Sequence, residues 1–433
     1  MQRGWLTGLA VLAIVGVLAL PPVASLAQEG AEGETAEPPA PEKSEREKEK
    51  EKLEQQRARS VDRQTAEKLN KIFEAYNAGK YEEARKLADG LNMPKLSPYE
   101  QSRVYQIQVA IALQEQKYGP ARDLIKKAID TGGLNDQEAD SLRFQLVQLF
   151  MAEERWKEGI QAWKQWAEST QTPPGAAAFY TLAIAYYQSG DLKAALDPAQ
   201  KSVEMAQKPQ EAWIQLLLAL RIEREEYKLA VPLLKRLITM APSKKNYWVQ
   251  LAAVNAQMQS YAEAAQSMQI AYYGGLLNEE RDLRRLAELL VQIDIPYRAA
   301  KILSTAIEKN VFKPDAKTLE FLANCWIQAQ EYKRATGPLK AAAELSDSGD
   351  LFVRLAQVYS QDEDWANVST SVRRGLDKGK LKNRGDACLL LGISLYSQKK
   401  VDESERWFRC ALDTDSSRKT AEGWLKQISL ERE

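Results

Sequence analysis

Apolar residues recur at intervals of three and four from about residue 65 to the end of the chain, with charged and amide residues between them. This spacing places the apolar side chains on one face of an α-helix. It predicts a succession of amphipathic helices, each about 12 to 15 residues long. The pattern therefore predicts an all-α fold.

The same pattern is periodic on a larger scale. In one block of sequence Trp213 is followed by Tyr227, and in the next block Trp248 is followed by Tyr261. Such self-similarity at a period of about 35 residues is the signature of a repeat architecture. Small residues, such as Ala252 in the second block, mark the place where two antiparallel helices would touch. Registering on them gives about ten units, which begin near Thr65, Ser102, Asp140, Ala176, Gln210, Lys245, Glu280, Ala316, Gly349 and Gly385.

These units resemble the tetratricopeptide repeat (TPR), whose consensus places Trp, Leu, Gly, Tyr, Ala, Phe, Ala and Pro at fixed positions over about 34 residues. The resemblance implies a right-handed superhelical solenoid of about ten helix-turn-helix units over residues 65–418. The unit starts lie 33 to 38 residues apart, so extended turns are expected in the longer units. No helix pair buries its apolar face alone, and stacked arrays need polar ends. Residues 419–433, with Trp424 and Ile428 on one stripe, are expected to form a capping helix.

The N-terminus has a different character. A basic start, an apolar stretch from Leu6 to Leu20 and the small residues before Gln28 are typical of a cleavable signal peptide over residues 1–27. The alternative is a retained membrane anchor. With the signal removed, we expect a periplasmic protein without a membrane-spanning segment. Residues 28–64 contain few apolar side chains and predict a disordered, charged and proline-containing linker.

Composition limits the chemistry. The chain has 60 Lys and Arg, 60 Asp and Glu, and no histidine. Without histidine, no Ser-His-Asp triad and no His-ligated zinc site can form. Balanced charge also argues against nucleic acid as a partner, because its binders concentrate positive charge on one face. We therefore expect a non-enzymatic protein with no cofactor and no metal.

The TPR resemblance implies that the first helix of each unit lines a concave groove, with the second, fifth, ninth, twelfth and thirteenth positions of the unit pointing into it. Its thirteenth position holds glutamine in six units, and amides can hydrogen-bond an extended peptide backbone. The alternative is that glutamine is simply a good helix former. The predicted peptide-binding residues are Tyr76, Gln114, Phe144, Tyr180, Tyr187, Gln188, Gln257, Gln292, Gln328 and Gln361.

Three cysteines remain, and two of them lie on the two helices of the last unit. In an oxidising compartment Cys388 and Cys410 can form a disulfide. Two buried thiols are an equal alternative, because the Cα separation cannot be read from sequence. Cys325 lies on a helix that should be packed, so it is expected to be reduced and inert.

A narrower resemblance concerns units four to ten, including the turns between units. The residues that carry it are 246–251, 271–272, 275–277, 286–287, 296–300, 344–347 and 416–419. They are similar to TPR proteins that accompany TonB, ExbB and ExbD energy-transduction systems of Gram-negative bacteria. The resemblance implies a periplasmic scaffold that supports TonB-dependent uptake, with components of that complex as partners. The alternative is a scaffold or chaperone for envelope assembly or polysaccharide export. The oligomeric state stays open.

Overall fold

The computed structural model describes residues 60–432. The predicted signal peptide (1–27), residues 28–59 of the predicted linker and Glu433 lie outside the described residues. Within residues 60–432 the chain forms α-helices and one short 3-10 helix, Met93–Lys95. None of these helices is both long and apolar enough to cross a membrane.

The chain divides into two compact units, one ending at Glu223 and the other beginning at Arg224. The first unit contains α1 (Arg63–Asn77), α2 (Tyr81–Asp89), α3 (Pro98–Gln114), α4 (Tyr118–Asp130), α5 (Asp136–Ala152), α6 (Trp156–Ser169), α7 (Ala176–Gln188), α8 (Leu192–Glu204) and α9 (Glu211–Glu223). The second contains α10 (Tyr227–Met240), α11 (Lys245–Gln257), α12 (Tyr261–Tyr273), α13 (Glu280–Gln292), α14 (Pro296–Glu308), α15 (Ala316–Gln328), α16 (Tyr332–Leu345), α17 (Asp350–Gln361), α18 (Trp365–Lys378), α19 (Arg384–Ser397), α20 (Val401–Ala411) and α21 (Asp415–Arg432).

Within each unit the helices form pairs, and each helix packs mainly against its neighbours in the chain. In chain order the odd-numbered helices up to α19 are called first helices and the even-numbered ones up to α20 second helices; α9 and α10 belong to different units. Small side chains allow the close approach: Ala183 on α7 and Ala195 on α8 are fully buried. On α19, a Cβ atom at Gly392 would lie 2.7 Å from the ring of Phe408 on α20. The predicted all-α fold of tandem helix pairs is confirmed.

A recurrent turn joins the two helices of a pair. In the α17–α18 turn, the amide of Asp364 donates to the carbonyl of Tyr359 (3.1 Å) and that of Glu363 donates to Ser360 (3.2 Å). This is the Schellman arrangement, which needs a left-handed residue just after the helix. Glu363 supplies it with φ 57°, and Gly190 does so at the α7–α8 turn with φ 86°. The turn ends each first helix at an equivalent position.

The longer repeats follow the sequence expectation only in part. Extended turns were predicted, and the connection between α2 and α3 is extended and contains the 3-10 helix Met93–Lys95. In addition, α3 and α5 each have 17 residues and begin before the predicted unit starts, Ser102 and Asp140. Capping boxes explain the added helical turn. The Ser97 side chain caps the amide of Glu100, and Asn135 caps that of Glu138 in the same way.

Both predicted boundaries of the array move by a few residues. The linker was predicted to extend to residue 64, whereas α1 begins at Arg63, because the carboxylate of Asp62 caps its N-terminus. The C-terminal helix begins at Asp415, four residues before the predicted start. Its Trp424 ring stacks on Phe408 at 5.5 Å between centroids, and Ile428 is buried.

The structure joins Cys388 on α19 to Cys410 on α20 by a disulfide, with an S–S distance of 2.04 Å and a Cα separation of 5.8 Å. The bond ties together the two helices of the last pair. The third cysteine, Cys325 on α15, is free and buried.

Candidate functional site

The six predicted glutamines occupy structurally equivalent positions. Each is the last residue of a first helix, and each side chain is exposed. The first unit contributes Gln114 and Gln188, and the second contributes Gln257, Gln292, Gln328 and Gln361. Their regular placement follows from the turn, which fixes where every first helix ends.

Hydrogen bonds between first helices show that these helices lie side by side within a unit. In the first unit, Gln114 on α3 donates to the hydroxyl of Tyr76 on α1 at 3.3 Å. In the second unit, Arg284 on α13 donates to the hydroxyl of Thr318 on α15 at 2.9 Å. We call the surface made by α11, α13, α15 and α17 the first-helix face.

Charged residues near the N-terminal ends of these helices pair with one another. The Lys245 ammonium lies 2.9 Å from the carboxylate of Asp282, which is only 2 % exposed, and 2.5 Å from Glu279. Hydrogen bonds to Glu279 and Asp282 raise the pKa of Lys245. Arg354 on α17 pairs with Glu320 on α15 at 3.3 Å. These charges connect neighbouring first helices at the end of the face opposite the glutamines.

One polar stripe on α15 joins the two ends of the face. Glu320, Asn324 and Gln328 are spaced by four residues, so they lie on one side of the helix. The Oδ1 atom of Asn324 is buried and has no hydrogen-bond partner among the described residues. Such an acceptor costs about 1–3 kcal/mol when it is unpaired. Sequence reasoning missed Asn324; its signal is an amide within the apolar run 321–327.

Two of the predicted aromatic residues are mainly packing residues. Phe144 lies against Trp166, with ring centroids 4.6 Å apart. Tyr180 stacks on Trp213 at 5.4 Å, and burial raises the pKa of Tyr180. Both side chains are half-buried.

The other two aromatic residues lie next to amides. Tyr76 packs edge-on against Tyr81 and accepts the hydrogen bond from Gln114. Tyr187 precedes Gln188 in α7 and is half-buried. Burial, followed by the negative charge of Glu223, raises the pKa of Tyr187. Its hydroxyl therefore stays protonated and can donate a hydrogen bond.

The groove positions implied by the TPR resemblance are not open on α9. Ile214 and Leu218 hold the fifth and ninth positions of that repeat, yet they are 0 % and 4 % exposed. Trp213, Leu217 and Leu220 are buried as well. Because both of these side chains are buried, α9 adds no groove surface at the fifth and ninth positions.

Among residues 60–432, no group of three or more Asp, Glu or Cys side chains could hold a metal ion. Burial raises the pKa of the free Cys325 thiol to about 12. The thiol is thus protonated at neutral pH, whereas a nucleophilic cysteine must be a thiolate. What the candidate site offers is hydrogen-bonding groups, not reactive ones.

Comparison with known families gives a partial match. The family model of a domain of unknown function, DUF6340, matches residues 147–235. Because that segment is less than half of the chain, it marks a local similarity. No curated protein matches the chain.

Several solved structures are similar to parts of the chain. The C-terminal part of a TPR repeat-containing protein from Cytophaga hutchinsonii is 11% identical, over 56% of this chain and 98% of that chain, with a TM-score of 0.35. MamA from Desulfovibrio magneticus RS-1 is 20% identical, over 39% and 93%, with a TM-score of 0.31. YrrB, described as a TPR protein with an unusual peptide-binding site, is 17% identical, over 46% and 97%, with a TM-score of 0.33. These low scores add no argument of their own. The helix pairs and their turns establish an all-α protein built of tandem repeats similar to TPR units.

Proposed function

We propose that this protein is a non-catalytic scaffold of the periplasm that holds a segment of a partner protein on its first-helix face. We further propose that it serves a TonB-type energy-transduction system. The site contains hydrogen-bonding amides and no reactive side chain, which supports binding rather than catalysis.

The observation that supports this proposal most directly is the set of exposed glutamines that end α11, α13, α15 and α17. Their side chains make no hydrogen bond within the described part of the chain, so both the donor and the acceptor of each amide are available to a ligand. An extended peptide presents alternating N–H and C=O groups, which such amides can bind without requiring a particular side chain.

Asn324 adds a second reason to expect a ligand here. Its Oδ1 acceptor lies one helical turn before Gln328 on the same stripe. Because this Oδ1 atom is buried, a bound peptide N–H supplies the missing donor only when the Asn324 side chain turns outward, which would remove the cost of the unpaired acceptor. The bound segment is then expected to run across α15 between Asn324 and Gln328.

Sequence supports the location and the system. The basic and apolar N-terminal residues are typical of an export signal. The residues at 246–251, 296–300 and 416–419 are similar to TPR proteins that accompany TonB, ExbB and ExbD. Components of that complex are therefore the partners that we propose.

A deletion strain complemented with variants tests this proposal. We expect deletion to reduce TonB-dependent uptake of a labelled iron chelate, and the wild-type gene to restore it. A triple variant, Gln257→Glu, Gln292→Glu and Gln328→Glu, should fail to restore uptake, because carboxylates cannot donate to peptide carbonyls.

The matched control places the same change on exposed glutamines of second helices, Gln161→Glu, Gln165→Glu and Gln266→Glu. It should restore uptake fully. If deletion leaves uptake unaffected and instead impairs polysaccharide export or outer-membrane assembly, the protein functions in envelope assembly. Full complementation by the first triple variant would show that these glutamines do not contribute to partner binding.

A further inference from the structure

One side chain in the C-terminal half of the first-helix face is charged. The last six residues of α11, α13, α15 and α17 include Glu288 on α13 and are otherwise apolar or uncharged. The Glu288 side chain is exposed and makes no ion pair with any of the described residues. Arg285, three residues earlier, is half-buried and does not pair with it. The carboxylate is therefore open to a cation of a ligand.

The surroundings explain why this carboxylate is unpaired. Arg284, one helical turn earlier on α13, donates to Glu280 at 3.0 Å and to the hydroxyl of Thr318 on α15 at 2.9 Å. The equivalent positions on the neighbouring first helices hold Ala253 and Asn324, which carry no charge. Neither neighbouring helix therefore supplies a cation at this level of the face.

Apolar side chains lie next to Glu288. Val291 is three residues later and so lies on the same side of α13. Ile327 on α15 and Ala256 on α11 hold the equivalent position, one residue before the terminal glutamine. All three are half-buried and pack against the core of this unit. An apolar side chain of a ligand can cover the parts that remain exposed.

The turns that follow these four helices add negative charge. Within residues 258–260, 293–295, 329–331 and 362–364 the charged residues are all acidic: Asp294, Glu331, Asp362, Glu363 and Asp364. Glu331 pairs with Arg334, and Asp364 caps the amide of Asn367. The other three are exposed and make no ion pair with the described residues. Their field favours a cationic ligand and repels an anionic one such as nucleic acid.

We propose that Glu288 is a specificity-determining residue of the first-helix face. It selects a partner segment in which a lysine or arginine lies close to an apolar side chain. The cation pairs with Glu288, the apolar side chain covers Val291 and Ile327, and the terminal glutamines bind the backbone of the segment. Charge complementarity of this kind contributes mainly to specificity. This inference rests on the proposed function, because it takes the first-helix face as the surface that holds the partner.

Fluorescence anisotropy with the full chain at low salt tests the inference. The probe is a labelled nine-residue threonine peptide with a central lysine and a leucine two positions to either side of it. We expect the wild-type protein to bind this lysine peptide more tightly than the same peptide with a central glutamine. Glu288→Gln should weaken binding of the lysine peptide about fivefold, because one exposed ion pair is lost. It should leave the affinity for the glutamine peptide unchanged.

The matched control is Glu308→Gln, which removes an exposed, unpaired carboxylate of the second helix α14. It should bind the lysine peptide like the wild type. Glu288→Lys should reverse the preference, so that a peptide with a central glutamate binds more tightly than the lysine peptide. Added salt should reduce the difference between the wild type and Glu288→Gln, since exposed charges are screened.

Two results would overturn the inference without contradicting the proposed function. One is equal affinity of the wild type for the lysine and glutamine peptides. The other is an unchanged affinity of Glu288→Gln for the lysine peptide. If neither peptide bound the wild-type protein, both the inference and the proposed function would be contradicted.

Discussion

The side-chain amide of Gln114 on α3 donates a hydrogen bond to the phenolic oxygen of Tyr76 on α1, 3.3 Å away. The two residues are 38 positions apart in the chain, yet both were predicted from sequence to line one face. Their contact shows that the first helices of successive pairs present these positions side by side.

Contact between two glycines limits the spacing of α17 and α18. A Cβ atom at Gly349 would lie 2.0 Å from the carbonyl oxygen of Gly375. We expect Gly349→Ala to lower the free energy of unfolding by about 1–3 kcal/mol, because the helices must move apart. Urea denaturation followed by circular dichroism measures the change. Gly423→Ala on α21 is the control: a Cβ there meets nothing within 4 Å, so higher helix propensity should raise stability by about 0.5–1 kcal/mol.

Substitutions at the left-handed turn residues should raise the free energy of unfolding at one turn and lower it at another. Glu363 adopts φ 57°, a conformation that is unfavourable for a residue with a side chain. Glu363→Gly should raise the free energy of unfolding by about 0.5–1 kcal/mol, because glycine adopts positive φ without that cost. Gly190→Ala, at the equivalent turn with φ 86°, should lower it by a similar amount. A decrease for Glu363→Gly would mean that its side chain makes an important contact.

The states of the three cysteines determine how many thiols should react in native, denatured and reduced protein. Native protein should show no reactive thiol at pH 8, because burial raises the pKa of Cys325 to about 12. Denatured, unreduced protein should show one thiol, and reduced protein three, since Cys388 and Cys410 are joined. Titration with a chromogenic thiol reagent measures all three states. Three thiols before reduction would contradict the disulfide.

Glu100 should make the N-terminal pair sensitive to acid. Its carboxylate accepts hydrogen bonds from the amides of Asp62 (2.9 Å) and Ser97 (2.8 Å). Burial alone would raise the pKa of Glu100, but these hydrogen bonds outweigh it and lower the pKa. A lowered pKa in the folded state gives stability that is present above the unfolded pKa and lost as the pH falls through the folded pKa.

Glu100→Gln removes one of these two acceptors. We expect it to lower the free energy of unfolding at pH 7 by about 1–2 kcal/mol and to flatten the fall in stability below pH 5. The control is Glu138→Gln, whose carboxylate accepts only the local amide of Asn135; its loss at pH 7 should be smaller. Equal losses would show that the bond to Asp62 contributes nothing.

Helical periodicity was sufficient to predict the fold. Every first helix ends near its predicted thirteenth position, because apolar spacing and small residues such as Ala183 locate the contact between helices. The added turns of α3 and α5 were missed, although the sequence contains the capping residues Ser97 and Glu100. Both residues precede the predicted unit start, Ser102, so the alignment of repeats did not include them in the helix.

The candidate site was only partly predictable. Sequence placed six glutamines at one repeat position, and that position is exposed. It did not show that Lys245 and Asp282 would pair across helices, because the separation of side chains in neighbouring repeats is set by packing. For the same reason it could not show that Ile214 would be buried or that the Asn324 acceptor would lack a donor.

Photocrosslinking in living cells tests the binding of a partner by the first-helix face most directly. A photoreactive amino acid replaces Gln257 in one strain and Lys340, on the exposed side of α16, in another. We expect Gln257 to crosslink to TonB, ExbB or ExbD, and Lys340 to give no such product. Crosslinks from Lys340 alone, or none from Gln257 in a folded and exported protein, would contradict the account.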